Sequence, residues 1–81
     1  MRAMQIPLAE LPVDQQATIV RFSNGLAETN RLVSLGFTPG AEIDMAQNYG
    51  RGPLIVTVRG ARVALGRREA NKIMVERRAE K

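Results

Sequence analysis

Apolar residues recur at two different spacings along this chain, and the changes between them mark the elements. Ala17-Thr18-Ile19-Val20-Arg21-Phe22 is dense in β-formers and reads as the first strand. Residues 41–49 alternate, with Ala41, Ile43 and Met45 on one face and Glu42 and Asp44 on the other. That alternation predicts a half-buried strand. Leu54 to Arg59 aligns Leu54, Val56 and Val58, and Arg62 to Leu65 turns Val63 and Leu65 inward. The Arg59-Gly60-Ala61 turn between them makes the pair a hairpin. Ile73 to Arg77 closes the series with Ile73 and Val75 inward, after one short helical turn over Gly66–Lys72 in which Ala70 packs.

Between the first two strands the period changes to that of a helix. Leu26 to Leu35 is the one extended helical stretch, and Ser23-Asn24-Gly25 before it offers capping side chains. At about 100° per residue, Leu32 and Leu35 lie about 60° apart, while Leu26 and Val33 fall together on a neighbouring arc. Leu32 and Leu35 are expected in the core, and Leu26 and Val33 at its margin. Gly36 suits the left-handed position that ends a helix, and Phe37 the apolar position that folds back on it. Thr38-Pro39-Gly40-Ala41 fits a type II turn, with Pro39 at i+1 and Gly40 at i+2. Gly36, Pro39, Gly40 and Gly60 thus read as residues that shape backbone. Leu8 and Leu11, in the lead-in segment Leu8–Pro12, are expected to plug one end of the core. Asn48–Pro53 reads as a flexible loop.

Five short strands and one helix predict a mainly β fold: a small SH3-like barrel of about five strands, with one helix inserted after the first strand. The 81 residues suit a single domain over 1–81. Met45, Ile55 and Met74 fit either core or interface. Apolar runs never exceed three residues, as in Leu54-Ile55-Val56, which excludes a membrane-spanning helix. Met1–Ile6 reads as a short native N-terminus and not a targeting segment. Cysteine is absent, in keeping with a cytoplasmic location, and neither a disulfide nor a thiolate site braces the fold.

Charge adds an asymmetry. Residues 59–81 carry eight Lys/Arg and three Glu, whereas residues 1–58 carry four Arg and five Asp/Glu. A basic C-terminal part suits an acidic protein face, anionic headgroups or nucleic acid. Glu69, Glu76 and Glu80 interrupt it, however, unlike a dedicated nucleic-acid arm.

Catalytic chemistry is missing. There is no histidine and no cysteine, so the usual general base, metal ligand and thiolate nucleophile are absent. Glu42 and Asp44 share a strand face but make an incomplete cation site. Gly50-Arg51-Gly52-Pro53 lacks the Gly-Lys-Ser/Thr ending of a phosphate loop. The chain is therefore expected not to be an enzyme, with no catalytic residue, metal ligand or cofactor. Of the aromatics Phe22, Phe37 and Tyr49, the first two suit the core. Tyr49 is either an exposed ring or one packed over the barrel end.

In order and spacing, several segments resemble the FeoA family of ferrous iron transport proteins. They are Leu8–Pro12, Ile19-Val20, the run Arg31–Gly40, Pro53–Gly60, Val63–Leu65 and Ala70–Val75, and together they span roughly residues 6–77. The resemblance implies an SH3-like barrel with an inserted helix and a part in bacterial ferrous iron uptake. It implies the transporter FeoB, with its cytoplasmic GTPase domain, as partner. Similar domains form the C-terminal part of iron-dependent repressors, attached there to a DNA-binding domain that this chain lacks.

The reading that follows is a cytoplasmic adaptor. Leu26 and Val33 are its expected apolar anchor, and Tyr49 and Arg51 its second contact. Arg67, Arg68 and Lys72 would steer it toward an acidic partner or bring it near the membrane surface. Self-association is a further expectation. The alternatives are a small basic nucleic-acid-binding barrel, although no nucleic-acid partner is expected, and a regulatory domain that weakly binds a divalent (transition metal) cation.

Overall fold

The structure, a computed structural model, describes residues 3–78. Its β-strands are β1 (Ala3–Pro7), β2 (Gln16–Phe22), β3 (Glu42–Gln47), β4 (Leu54–Val58), β5 (Ala61–Leu65) and β6 (Ile73–Arg78). Helix α1 (Leu26–Ser34) follows β2, and the single-turn α2 (Arg67–Ala70) follows β5. All five expected strands are present. A sixth, β1, precedes them, so the helix follows the second strand of the chain. Within the segment Met1–Ile6, for which no strand was expected, the chain is strand from Ala3 onward, while Met1 and Arg2 lie outside the described residues. The pattern hid β1 because one neighbour supplies its pairing: it lies antiparallel to β6, with Ile6 opposite Val75.

The six strands form one antiparallel sheet in the order β1-β6-β2-β3-β4-β5. Alternate residues of each strand point to a common interior. Ile19, Ile43, Met45, Leu54, Val56, Val58, Leu65, Ile73 and Val75 are buried there, with Ala70 of α2. Met45 is thus core, while Ile55 and Met74 are half-buried. Leu8 and Leu11 are both fully buried, within and just after a 3-10 turn (Leu8–Glu10), and close one end as expected.

The helix ends as the glycine and proline positions predict. The Phe37 N–H donates to the Leu32 carbonyl at 2.9 Å and the Gly36 N–H to the Val33 carbonyl at 3.0 Å, the two bonds of a Schellman motif. Gly36 has φ +102°, a conformation that L side chains reach only with strain. The Ala41 N–H then donates to the Thr38 carbonyl at 2.9 Å, with Gly40 at φ +92°, completing the type II turn. The β4–β5 hairpin turns through Arg59 and Gly60, both with positive φ, as a two-residue type I′ connection requires.

Two expectations for the helix are corrected. Leu35 does not enter the core; it is 38% exposed. It sits at the C-cap, outside the regular helix, and the reversal at Gly36 sends Phe37, fully buried, into the core instead. Nor does a side chain of Ser23 or Asn24 cap the N-terminus. The N-cap is Gly25, with no side-chain bond, and Asn24 Nδ2 donates instead to Glu28 Oε1 at 3.1 Å.

Candidate functional site

Helix α1 is amphipathic in composition yet gives little of itself to the core. Among its nine residues Leu32 alone is buried. Leu26 is 79% exposed and Val33 43% exposed, so the expected apolar margin lies in solvent. An Arg31–Glu69 ion pair ties the helix to α2, and Arg59 fixes its C-terminal end. The Arg59 guanidinium donates to the Gly36 carbonyl at 3.4 Å and to Thr38 Oγ1 at 3.2 Å. The aliphatic part of Arg59 lies over Gly36, where an added Cβ would meet its Cδ at 3.1 Å. The tip of the β4–β5 hairpin therefore sets how the helix leaves the sheet.

At the other end of that hairpin lies a second exposed element, the loop 48–53. It is held at both ends by polar groups. Asn48 Nδ2 donates to the carbonyls of Ala9 at 2.9 Å and Leu11 at 3.0 Å. Arg67 donates to Asn48 Oδ1 at 2.7 Å, to the Gly52 carbonyl at 3.2 Å and to the Ala9 carbonyl at 3.3 Å. Arg67 is thus a clamp on the loop and not a free steering charge. Between the clamped ends, Tyr49 is 77% exposed and Arg51 is exposed, so the ring does not pack over the barrel end. Arg68 and Lys72 are exposed as well.

The structure brings Tyr49, Arg51, Arg67 and Arg68 toward one end of the barrel. Leu54 pairs with Leu65, and the chain segments that carry these residues diverge from that pair. Leu26 and Val33 belong to α1, a separate element. Sequence reasoning missed Asn48 and the clamping role of Arg67, whose partners stand 15 to 58 residues away. It also missed a signal that was available. From Met45 to Arg68 the charged residues are Arg51, Arg59, Arg62, Arg67 and Arg68, with no carboxylate among them.

Among the described residues, no three Asp, Glu, His or Cys side chains come together as metal ligands. Glu42 and Asp44 are both exposed on β3.

Fold and surface together define a small SH3-like β-barrel that presents an apolar helix face and a clamped aromatic–arginine loop. The FeoA domain model matches residues 6–77, and the chain belongs to the FeoA family. It is 34% identical over 70 residues to a putative Fe(2+) transport protein A of Methanocaldococcus jannaschii, covering 86% of this chain and 84% of that one. A crystal structure of an iron uptake regulatory protein (FeoA) superposes with TM-score 0.83 at 36% identity, over 89% of this chain and 96% of that one. Stenotrophomonas maltophilia FeoA complexed with zinc, described as a procaryotic SH3 domain protein, superposes with TM-score 0.73 at 33% identity. The match covers 93% of this chain and 96% of that one. Membership supports a role in ferrous iron transport, in a family of transport accessory proteins and not of enzymes.

Proposed function

We propose that this chain is a non-enzymatic cytoplasmic adaptor of ferrous iron uptake. It docks through the exposed face of α1 on the cytoplasmic part of a FeoB-type transporter and modulates the transporter's assembly or activity. The observation that carries this reading is the uncovered apolar pair Leu26 and Val33 on a helix whose direction is fixed by Gly36 and Arg59. Apolar side chains seven residues apart lie on one helix face, the spacing by which a helix anchors in a partner's groove.

The test is a pull-down of the transporter's cytoplasmic domain with Leu26→Asp and Val33→Asp variants. Both side chains are exposed, so the variants are expected to fold, as circular dichroism would check, and to lose most binding. A folded Leu26→Asp/Val33→Asp protein that binds as well as the parent would remove α1 as the docking face.

A further inference from the structure

The end of the barrel away from the Arg59 tip carries charge and an aromatic ring that the α1 reading does not use. Three segments meet there: the loop 48–53, the 3-10 turn at Leu8–Glu10, and α2. Arg67 binds the first two together through the Gly52 and Ala9 carbonyls. Arg51 projects from the loop and Arg68 lies exposed on α2, while Lys72 lies toward the entry of α1, its carbonyl accepting from the Ser23 N–H at 2.7 Å. The carboxylates of these segments are Glu10, which is exposed, and Glu69, which is engaged by Arg31. The positive charge of this end is therefore only partly offset. At the Arg59 end of the hairpin, by contrast, Glu42 and Asp44 line the outer face of β3, with Asp44 opposite Thr57 and Thr57 opposite Arg62.

We infer that the end formed by Tyr49, Arg51 and Arg68 is a docking surface for an anionic lipid bilayer. The arginines meet the headgroup charge, and the Tyr49 ring enters the interfacial layer. Each basic side chain near such a surface contributes to binding, and an amphipathic aromatic ring is well suited to headgroup depth. The clamps at Asn48 and Arg67 hold both ends of the loop, so presenting Tyr49 requires little further ordering. A nucleic acid fits less well. Phe22 is half-buried and Phe37 fully buried, which leaves no second ring for a base-stacking platform. The four-residue α2 is too short to read a groove. Tyr49, Arg51 and Arg68 all lie outside α1, so this assignment and the α1 reading rest on different residues and either can fail alone.

The experiment is co-sedimentation of the full chain with vesicles of phosphatidylcholine, with and without phosphatidylglycerol, at near-physiological salt. Binding is expected only to the phosphatidylglycerol vesicles and should weaken as salt rises. Arg51→Glu and Arg68→Glu should each lower it roughly tenfold. Tyr49→Ser should abolish the part that resists high salt. Arg21→Glu, which changes net charge equally but sits on β2 beside Gln5, should leave binding within about twofold if charge acts locally near the surface. Four results would overturn the inference: no binding to phosphatidylglycerol vesicles, equal binding to pure phosphatidylcholine, the same loss from Arg21→Glu as from Arg51→Glu, or tighter binding to a DNA duplex than to the vesicles. Circular dichroism on each variant separates a folding defect from a binding defect, and the Arg51 and Arg68 variants stand in for each other should one misfold.

Discussion

Helix α1 and the loop 48–53 are the two excursions that flank β3, and they are secured differently: the helix by apolar burial with added polar ties from Arg31 and Arg59, the loop by polar clamps alone. The helix is fastened at its C-terminal end by apolar burial of Leu32 and Phe37 and by backbone bonds around Gly36. The loop has no buried residue and is fastened at both ends by the side chains of Asn48 and Arg67. Apolar anchoring through one side chain of the helix, Leu32, leaves its other faces in solvent, whereas polar clamping fixes a short tip. The first costs stability when cut, because burial is the dominant favourable term in folding. The second chiefly costs local order.

The comparison can be broken most severely at Phe37. Phe37→Ala should remove about 3–5 kcal/mol from a domain whose total is about 5–10 kcal/mol, leaving much of the protein unfolded in urea titrations. Gly36→Val comes next. The left-handed backbone and the close approach to Arg59 should together cost about 2–3 kcal/mol, and transporter binding should fall with stability because α1 loses its direction. Adding Arg59→Ala to that variant should return only the part due to the side-chain contact. Arg67→Ala is the mildest of the three: about 1 kcal/mol in urea, with faster amide exchange at Gly50–Gly52 and little change at Phe37. Equal loss of protection at the loop and at Phe37 would show that the two excursions are not independently held.

The two anchors also differ in how legible they are in the sequence. Gly36, Phe37 and Pro39-Gly40 lie within a few residues of the groups they bond, so spacing alone gave the left-handed helix stop at Gly36, the fold-back of Phe37 and the type II turn. The alternation of residues 54–65 likewise gave the hairpin with its inward Leu54, Val56, Val58 and Leu65. Leu35 was misplaced because helical angles ignore where the helix stops. β1 was missed because pairing, and not its own pattern, makes it a strand. The clamp was invisible for a stronger reason. Asn48 and Arg67 look like any surface amide and guanidinium, and their partners are backbone carbonyls that carry no sequence signature.

The reach of Arg67 also bears on the order in which the molecule assembles. Its bond to the Ala9 carbonyl closes a span of 58 residues, a contact whose loop entropy must be met before it yields anything. A side-chain bond of this kind is expected to form after the strands have paired and to contribute little to the rate-limiting nucleus. A contact absent from the nucleus acts on the unfolding rate and not on the folding rate. If the clamp is such a late contact, Arg67→Ala should speed unfolding in stopped-flow measurements and leave the folding rate nearly unchanged.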